Sequence, residues 1–168
     1  MKRIIILTAL FMILLPVTQT KAKTKVPEPT FEETVEARVR EHKVMLDRLI
    51  AAWEHRKEEI NLLAEVIYHE NWHTDKEHLA AYYTGAVVMN RVNSKAWPNT
   101  VKEVLYQRGQ YSTTKLFYTK EIPQECYDMA RDIYKNGTPD VPENVIFQAM
   151  RPLGKTWKRV NTDYFCYG

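Results

Sequence analysis

The stretch that most constrains this chain runs from Leu62 to Glu70. Leu62, Leu63, Val66 and Ile67 recur at the three- and four-residue spacing of one helix face. Glu70 lies three residues beyond Ile67 and four beyond Val66, so it falls on that same apolar stripe. An acid pointing where the core points is costly unless it is partnered or kept protonated. The fold must therefore hold this one carboxyl in an apolar site, or pair it with an interior cation such as Arg91.

The elements around that stretch follow from capping and periodicity. Thr30-Phe31-Glu32-Glu33 has the form of a capping box, with Thr at the cap and Glu three residues on. It predicts a helix to about Arg56, with Phe31, Val35, Val39, Leu46, Ile50 and Trp53 at helical spacing. The opposite face is charged, and Glu36 can pair with Arg40. The stripe reads as a solvated helix packed along the domain rather than a coiled-coil site, because it is short. A second helix is expected from Glu59 into the key stretch.

A third helix, Asp75 to about Val92, carries Leu79, Tyr83, Ala86, Val87 and Asn90 on one face. Its small residues Ala80, Ala81, Gly85 and Ala86 permit close packing, so it reads as the central buried helix. Thr100-Val101-Lys102-Glu103 is a second capping box, opening a short helix to about Gln107. Pro123 opens a further helix that Asn136-Gly137 closes. Residues 145–149 and 164–167 read as strands. Helices with a small sheet make the fold class α+β.

The chain begins Met-Lys-Arg, followed by an apolar run from Ile4 to Val17 and a polar Thr18–Ala22. That order describes a secretory signal peptide over residues 1–22, with a retained anchor as the alternative. The apolar run is short for a membrane span, and no later segment could cross a bilayer. Residues 23–58 read as a linker and a charged N-terminal helix, and 59–168 as the catalytic domain. Removing Lys2, Arg3 and Lys21 with the signal leaves 21 of the 24 basic residues, equal to the 21 acidic ones. A balanced chain without a basic stripe gives no support for a nucleic-acid partner. Cys126 and Cys166 could pair outside the cell, but two buried thiols are an equal reading, since sequence does not show whether they approach.

The same stretch contains His69-Glu70-Asn71-Trp72-His73, the His-Glu-x-x-His spacing of a zinc-peptidase helix. In that reading both histidines hold one metal and Glu70 is general base to its water. The flanks Tyr68, Asn71, Trp72 and Thr74 are uncharged, as such a helix needs. Against it, Asp75 places a charge where the helix would continue apolar, and Leu79 stands where a third histidine is wanted. Two histidines at a helix end is the better reading, and no metal or cofactor is expected.

Four blocks in order give a more specific match. Leu63-Ala64-Glu65-Val66-Ile67-Tyr68-His69-Glu70, the Asn90-Arg91-Val92 end of a packed helix, Trp97-Pro98-Asn99-Thr100-Val101, and Gly109-Gln110-Tyr111-Ser112 resemble the bacterial spore-cortex-lytic and cell-wall hydrolase family. Val145-Ile146-Phe147-Gln148 and Phe165-Cys166 are similar to its last strands, so the resemblance covers about residues 62–166. The chain departs from the pattern in two places. Asn71-Trp72-His73-Thr74 replaces the usual Ala-Arg-Gly-Glu, leaving Asp75 or Glu77 as a loose match to a second acidic position, and Asp163 stands where a histidine is usual.

The resemblance implies a lysozyme-like fold of the lytic-transglycosylase type, mostly helical with a small antiparallel sheet. It implies a secreted, monomeric enzyme that needs no cofactor, acts on peptidoglycan glycan strands through the single acid Glu70, and is not stably inserted in a membrane after signal cleavage. Glu70 would be general acid and then base in cleaving the MurNAc–GlcNAc bond. Gln110, Tyr111, Ser112, Phe147 and Gln148 would contact substrate. A hydrolytic lysozyme would want a second acid, for which Asp75 and Glu77 are the nearby candidates. The alternatives are the zinc metallopeptidase, an N-acetylmuramoyl-L-alanine amidase cutting peptide from sugar, and a wall-binding module without chemistry.

Overall fold

A computed structural model describes residues 28–168. The expected signal peptide and the start of the linker lie outside the described residues. The described residues divide into two units, 28–41 and 42–168.

The elements are α1 (Phe31–Asn71), α2 (Leu79–Asn93), α3 (Val101–Leu105), α4 (Gln124–Asn136), β1 (Val145–Ala149), β2 (Thr156–Val160) and β3 (Asp163–Tyr167). A 3₁₀ turn, Ser112–Leu116, precedes α4. This is the expected α+β composition. The three strands form one antiparallel sheet in the order β1-β3-β2. Strand β2 was not anticipated.

In the first unit the capping box forms as expected. Thr30 N donates to Glu33 Oε2 at 2.7 Å, and Glu33 N donates to Thr30 Oγ1 at 3.3 Å. The two helices expected before Glu70 are one, because Arg56-Lys57-Glu58-Glu59 contains good helix formers and no breaker. Leu46, Ile50 and Trp53 are exposed, so the packing expected of that stripe is not seen. Sustained burial along α1 begins only at Glu59.

In the second unit, Leu62, Leu63, Val66 and Ile67 are buried, joined by Leu105, Phe117, Ile122 and Ile133. Complete burial of each such side chain is worth about 1.5–3 kcal/mol. Helix α2 is central, as expected: ten of its fifteen residues are buried. It contributes Ala81 and Val88 to the cluster around α1, and Ala80, Tyr83, Ala86 and Val87 to a second cluster with Val145 and Phe165 of the sheet. Gly85 lets α1 and α4 approach, since a Cβ there would lie 2.7 Å from Ile133 Cδ1 and 3.1 Å from Ile67 Cδ1.

Polar groups lock the layers. Glu59 of α1 is buried and accepts from Val101 N at 2.7 Å and Lys102 N at 3.3 Å, so it caps α3 from a neighbouring helix. Asn90 Nδ2 donates to Pro142 O and Val145 O at 2.9 and 3.0 Å, fixing the entry to β1. Cys126 and Cys166 are both buried and free. Among the described residues no helix is long and apolar enough to cross a membrane.

Candidate active site

Glu70 is the penultimate residue of α1. Helix α1 ends at Asn71, and residues 72–78 form turns before α2 begins. His78 takes a left-handed conformation (φ 53°), stacks on Trp72 at 3.7 Å between ring centroids, and bonds Trp72 O through Nδ1 at 2.7 Å. Asp75 accepts from Leu79 N at 2.8 Å and Ala80 N at 3.0 Å. Asp75 is thus a cap for α2, and the helix starts four residues later than expected. A carboxylate spent on two backbone donors is not the second acid of the site. Glu77 is exposed and does not line the cleft.

The cleft beside Glu70 has a volume of about 130 Å³ and is lined by Glu70, Arg91, Gln110, Tyr111, Gln148 and Asp163, with Ala149 and Met150 at its edge. Thr113, on the 3₁₀ turn, donates through Oγ1 to Glu70 Oε1 at 2.5 Å. Burial holds the Glu70 carboxyl above the usual carboxylate range; the Thr113 hydroxyl opposes this, and the nearby Asp163 charge adds to it. The negative end of the α1 dipole acts in the same upward direction.

Arg91 is not the partner of Glu70. Its Nε donates to Ile146 O at 2.7 Å and its Nη1 to Gln110 Oε1 at 3.0 Å, and its guanidinium lies over the Trp97 and Tyr111 rings. Among the described residues no ion pair joins it to Glu70. Burial pushes the Tyr111 hydroxyl up to about 12, so it stays protonated at neutral pH.

Asn71 organises the floor. An ionised carboxylate only accepts hydrogen bonds, so the Asn71 amide turns its Nδ2 toward Asp163 Oδ2 at 3.2 Å. Its Oδ1 then accepts from Gln148 Nε2 at 2.7 Å and Thr84 Oγ1 at 2.9 Å. One short amide thereby joins α1, α2, β1 and β3 next to Glu70.

Of the residues singled out in the sequence, Glu70, Gln110, Tyr111 and Gln148 line one cleft. Ser112 and Phe147 do not. Ser112 is exposed at the start of the 3₁₀ turn, and the Phe147 ring meets Trp97 edge-on at 6.4 Å. Alternation along β1 explains the second case: Gln148 faces the cleft, so Phe147 faces away. Thr113, Asn71 and Asp163 were not anticipated as site residues. Thr113 carries no local signal, and Asp163 reaches Glu70 only through sheet pairing.

The histidines are placed for packing. Helix α1 stops at Asn71, so His73 is not one turn beyond His69 on a continuing helix. His69 Nε2 lies 3.3 Å from Glu65 Oε2, with both side chains buried, and its ring stacks on Phe117. His73 is exposed against the edge of Tyr68. No group of three His, Cys, Asp or Glu side chains that could hold a metal ion occurs among the described residues.

The sequence profile of the cell wall hydrolase family matches residues 75–165, more than half of the chain. The chain belongs to the cell wall hydrolase family. No curated protein and no solved structure matches it. The matched segment of this cell wall hydrolase contains Arg91, Gln110, Tyr111, Thr113, Gln148 and Asp163, and begins five residues after Glu70. The placement of Glu70 among those side chains therefore stands on the geometry of the cleft, independently of the match.

Proposed function

We propose that this cell wall hydrolase cleaves the glycosidic bond between MurNAc and GlcNAc in peptidoglycan, as a lytic transglycosylase with Glu70 as its general acid and base. The observation that carries this reading is the state of Glu70. It is a half-buried carboxyl in an open cleft, with a hydroxyl donor, no ion-pair partner among the described residues, and a proton held more tightly than usual. A carboxyl whose proton is held above the usual range can donate it to a leaving oxygen as a general acid.

In the first step Glu70 gives its proton to the bridging oxygen as the bond from that oxygen to C1 of MurNAc breaks. The ionised carboxylate then takes the proton of the MurNAc C6 hydroxyl as its oxygen bonds to C1. The product is a 1,6-anhydro sugar, and Glu70 ends protonated as it began. The Thr113 hydroxyl suits both halves: it fixes the carboxyl orientation and stabilises the anion formed midway.

Gln110 and Gln148 supply amides at the cleft edge and Tyr111 a ring and hydroxyl, which suit N-acetyl groups and sugar hydroxyls. Arg91 holds Gln110 in place. Catalysis in this reading belongs to residues 59–168, and export follows from a signal peptide at 1–22.

Mass spectrometry of purified wall digested by the full chain, with and without a chelator, tests the reading. Anhydro-muropeptides in both digests are expected. Reducing-end products would make the enzyme a hydrolase, free stem peptides an amidase, and chelator sensitivity a metallopeptidase.

A further inference from the structure

Two carboxylates line the cleft, and the reaction proposed above uses only one. Glu70 comes from the end of α1 and Asp163 from the first residue of β3. Asp163 is held in place. Its Oδ2 accepts from Asn71 Nδ2 at 3.2 Å and from Thr162 Oγ1 at 3.4 Å. Asn71 is itself fixed by Gln148 and Thr84. A side chain anchored through a four-element network has lost the freedom that makes an exposed aspartate ineffective.

No cation neutralises Asp163 among the described ion pairs. The cleft's one guanidinium, Arg91, is committed to Ile146 O, Gln110 and two aromatic rings. Placing an unpaired acid beside a second acid raises the energy of the resting site. That arrangement is useful when positive charge develops between them.

We propose that Asp163 is a second catalytic residue of this enzyme, an electrostatic stabiliser of the oxocarbenium-like charge that grows on C1 and the ring oxygen of the sugar bound beside Glu70. The inference rests on the glycosidic reading. Asp163 forms no bond and moves no proton. The electron pair of the breaking C1–O bond leaves with the bridging oxygen, which takes the Glu70 proton, and the charge left on the sugar is what Asp163 opposes. Removing one preorganised group aimed at developing charge costs about 10²–10³ in kcat in the oxyanion-hole case.

The ionisable groups around Asp163 are few. Glu70 faces it from α1, Arg91 from α2, and Tyr111 from the segment before the 3₁₀ turn. Burial holds the Tyr111 hydroxyl up at about 12, well above neutral pH. His69 is turned to Glu65 and Phe117, and His73 to Tyr68. The upper limb of the pH profile therefore reports Glu70, and a neighbouring negative charge holds that limb up.

The test compares wild type, Asp163→Asn, Asp163→Glu and Glu70→Gln, all as full chains, on soluble uncrosslinked glycan strands. Asp163→Asn is expected to lower kcat about 100-fold, with KM within about twofold, and to move the upper pH limb downward. Asp163→Glu, which keeps the charge, is expected to recover part of kcat. Anhydro products should persist at the reduced rate. A kcat within about threefold of wild type in Asp163→Asn overturns the proposal. So does a loss of kcat with the limb unmoved and no recovery in Asp163→Glu, which would mark a structural role. Reducing-end products that vanish in Asp163→Asn would instead make Asp163 the base for a water, and also overturn it. Activity surviving in Glu70→Gln would sink the glycosidic reading itself, a separate result.

Discussion

Replacing Thr113 by valine removes one hydroxyl and keeps the shape of the side chain. In the native cleft that hydroxyl donates to Glu70 Oε1 at 2.5 Å. Hydrogen bonds to charged groups contribute about 1.5–3 kcal/mol, and the partial exposure of Glu70 argues for the lower end. The bond favours the ionised carboxyl, so its loss moves Glu70 further in the direction burial already takes it. About 1.5 kcal/mol is roughly a tenfold change in the ratio of ionised to protonated Glu70 at a given pH. Because the first step needs the protonated form, the upper limb of kcat/KM against pH moves to higher pH in Thr113→Val. The plateau falls at the same time, because the anion formed midway has lost its donor. The assay is kcat/KM across pH on soluble glycan strands, with circular dichroism to confirm folding. An upper limb that stays put, or moves down, would refute the assignment of that limb to Glu70 and of Thr113 as its donor.

Three further outcomes follow from the geometry. Asp75→Ala should cost about 1–2 kcal/mol of stability by uncapping α2, seen as a lower denaturation midpoint, while kcat stays near wild type. Glu59→Ala strips a buried acceptor from Val101 N and Lys102 N and should cost about 1–3 kcal/mol, read by denaturant unfolding. His73→Ala and added chelator should each leave wall-digesting activity unchanged, measured by the clearing of a wall suspension; loss with either would favour a metal-dependent enzyme.

Much of the helical scaffold was legible because its signals are local. The boxes at Thr30 and Thr100 need only four residues each, and both form. The small-residue run Ala80–Ala86 marks α2 as central, and the stripe before Glu70 marks the buried face of α1. What failed was decided at a distance. Strand β2 carries Lys158 and Arg159 and little apolar pattern; it is a strand because it pairs with β3. Asp75 looked like the first residue of a helix, yet the Trp72–His78 stack moves the start to Leu79 and leaves Asp75 as its cap.

The candidate site divides in the same way. Periodicity alone points to Glu70, and the family resemblance points to Gln110, Tyr111 and Gln148. Asp163 lies 93 residues from Glu70 in the chain and enters the cleft through β3 and the Asn71 amide. Asp75 and Glu77 are the acids nearest to Glu70 on its C-terminal side in the chain, whereas the cleft takes its second carboxyl from the sheet.

The most direct measurement is the turnover of purified peptidoglycan by Glu70→Gln, a near-isosteric change that keeps the side chain and removes the transferable proton. With folding confirmed by an unchanged circular dichroism spectrum, release of soluble muropeptides should fall by about 10²–10⁴-fold. Release within a few-fold of wild type would mean that the proton comes from elsewhere, and the role assigned to Glu70 would be contradicted.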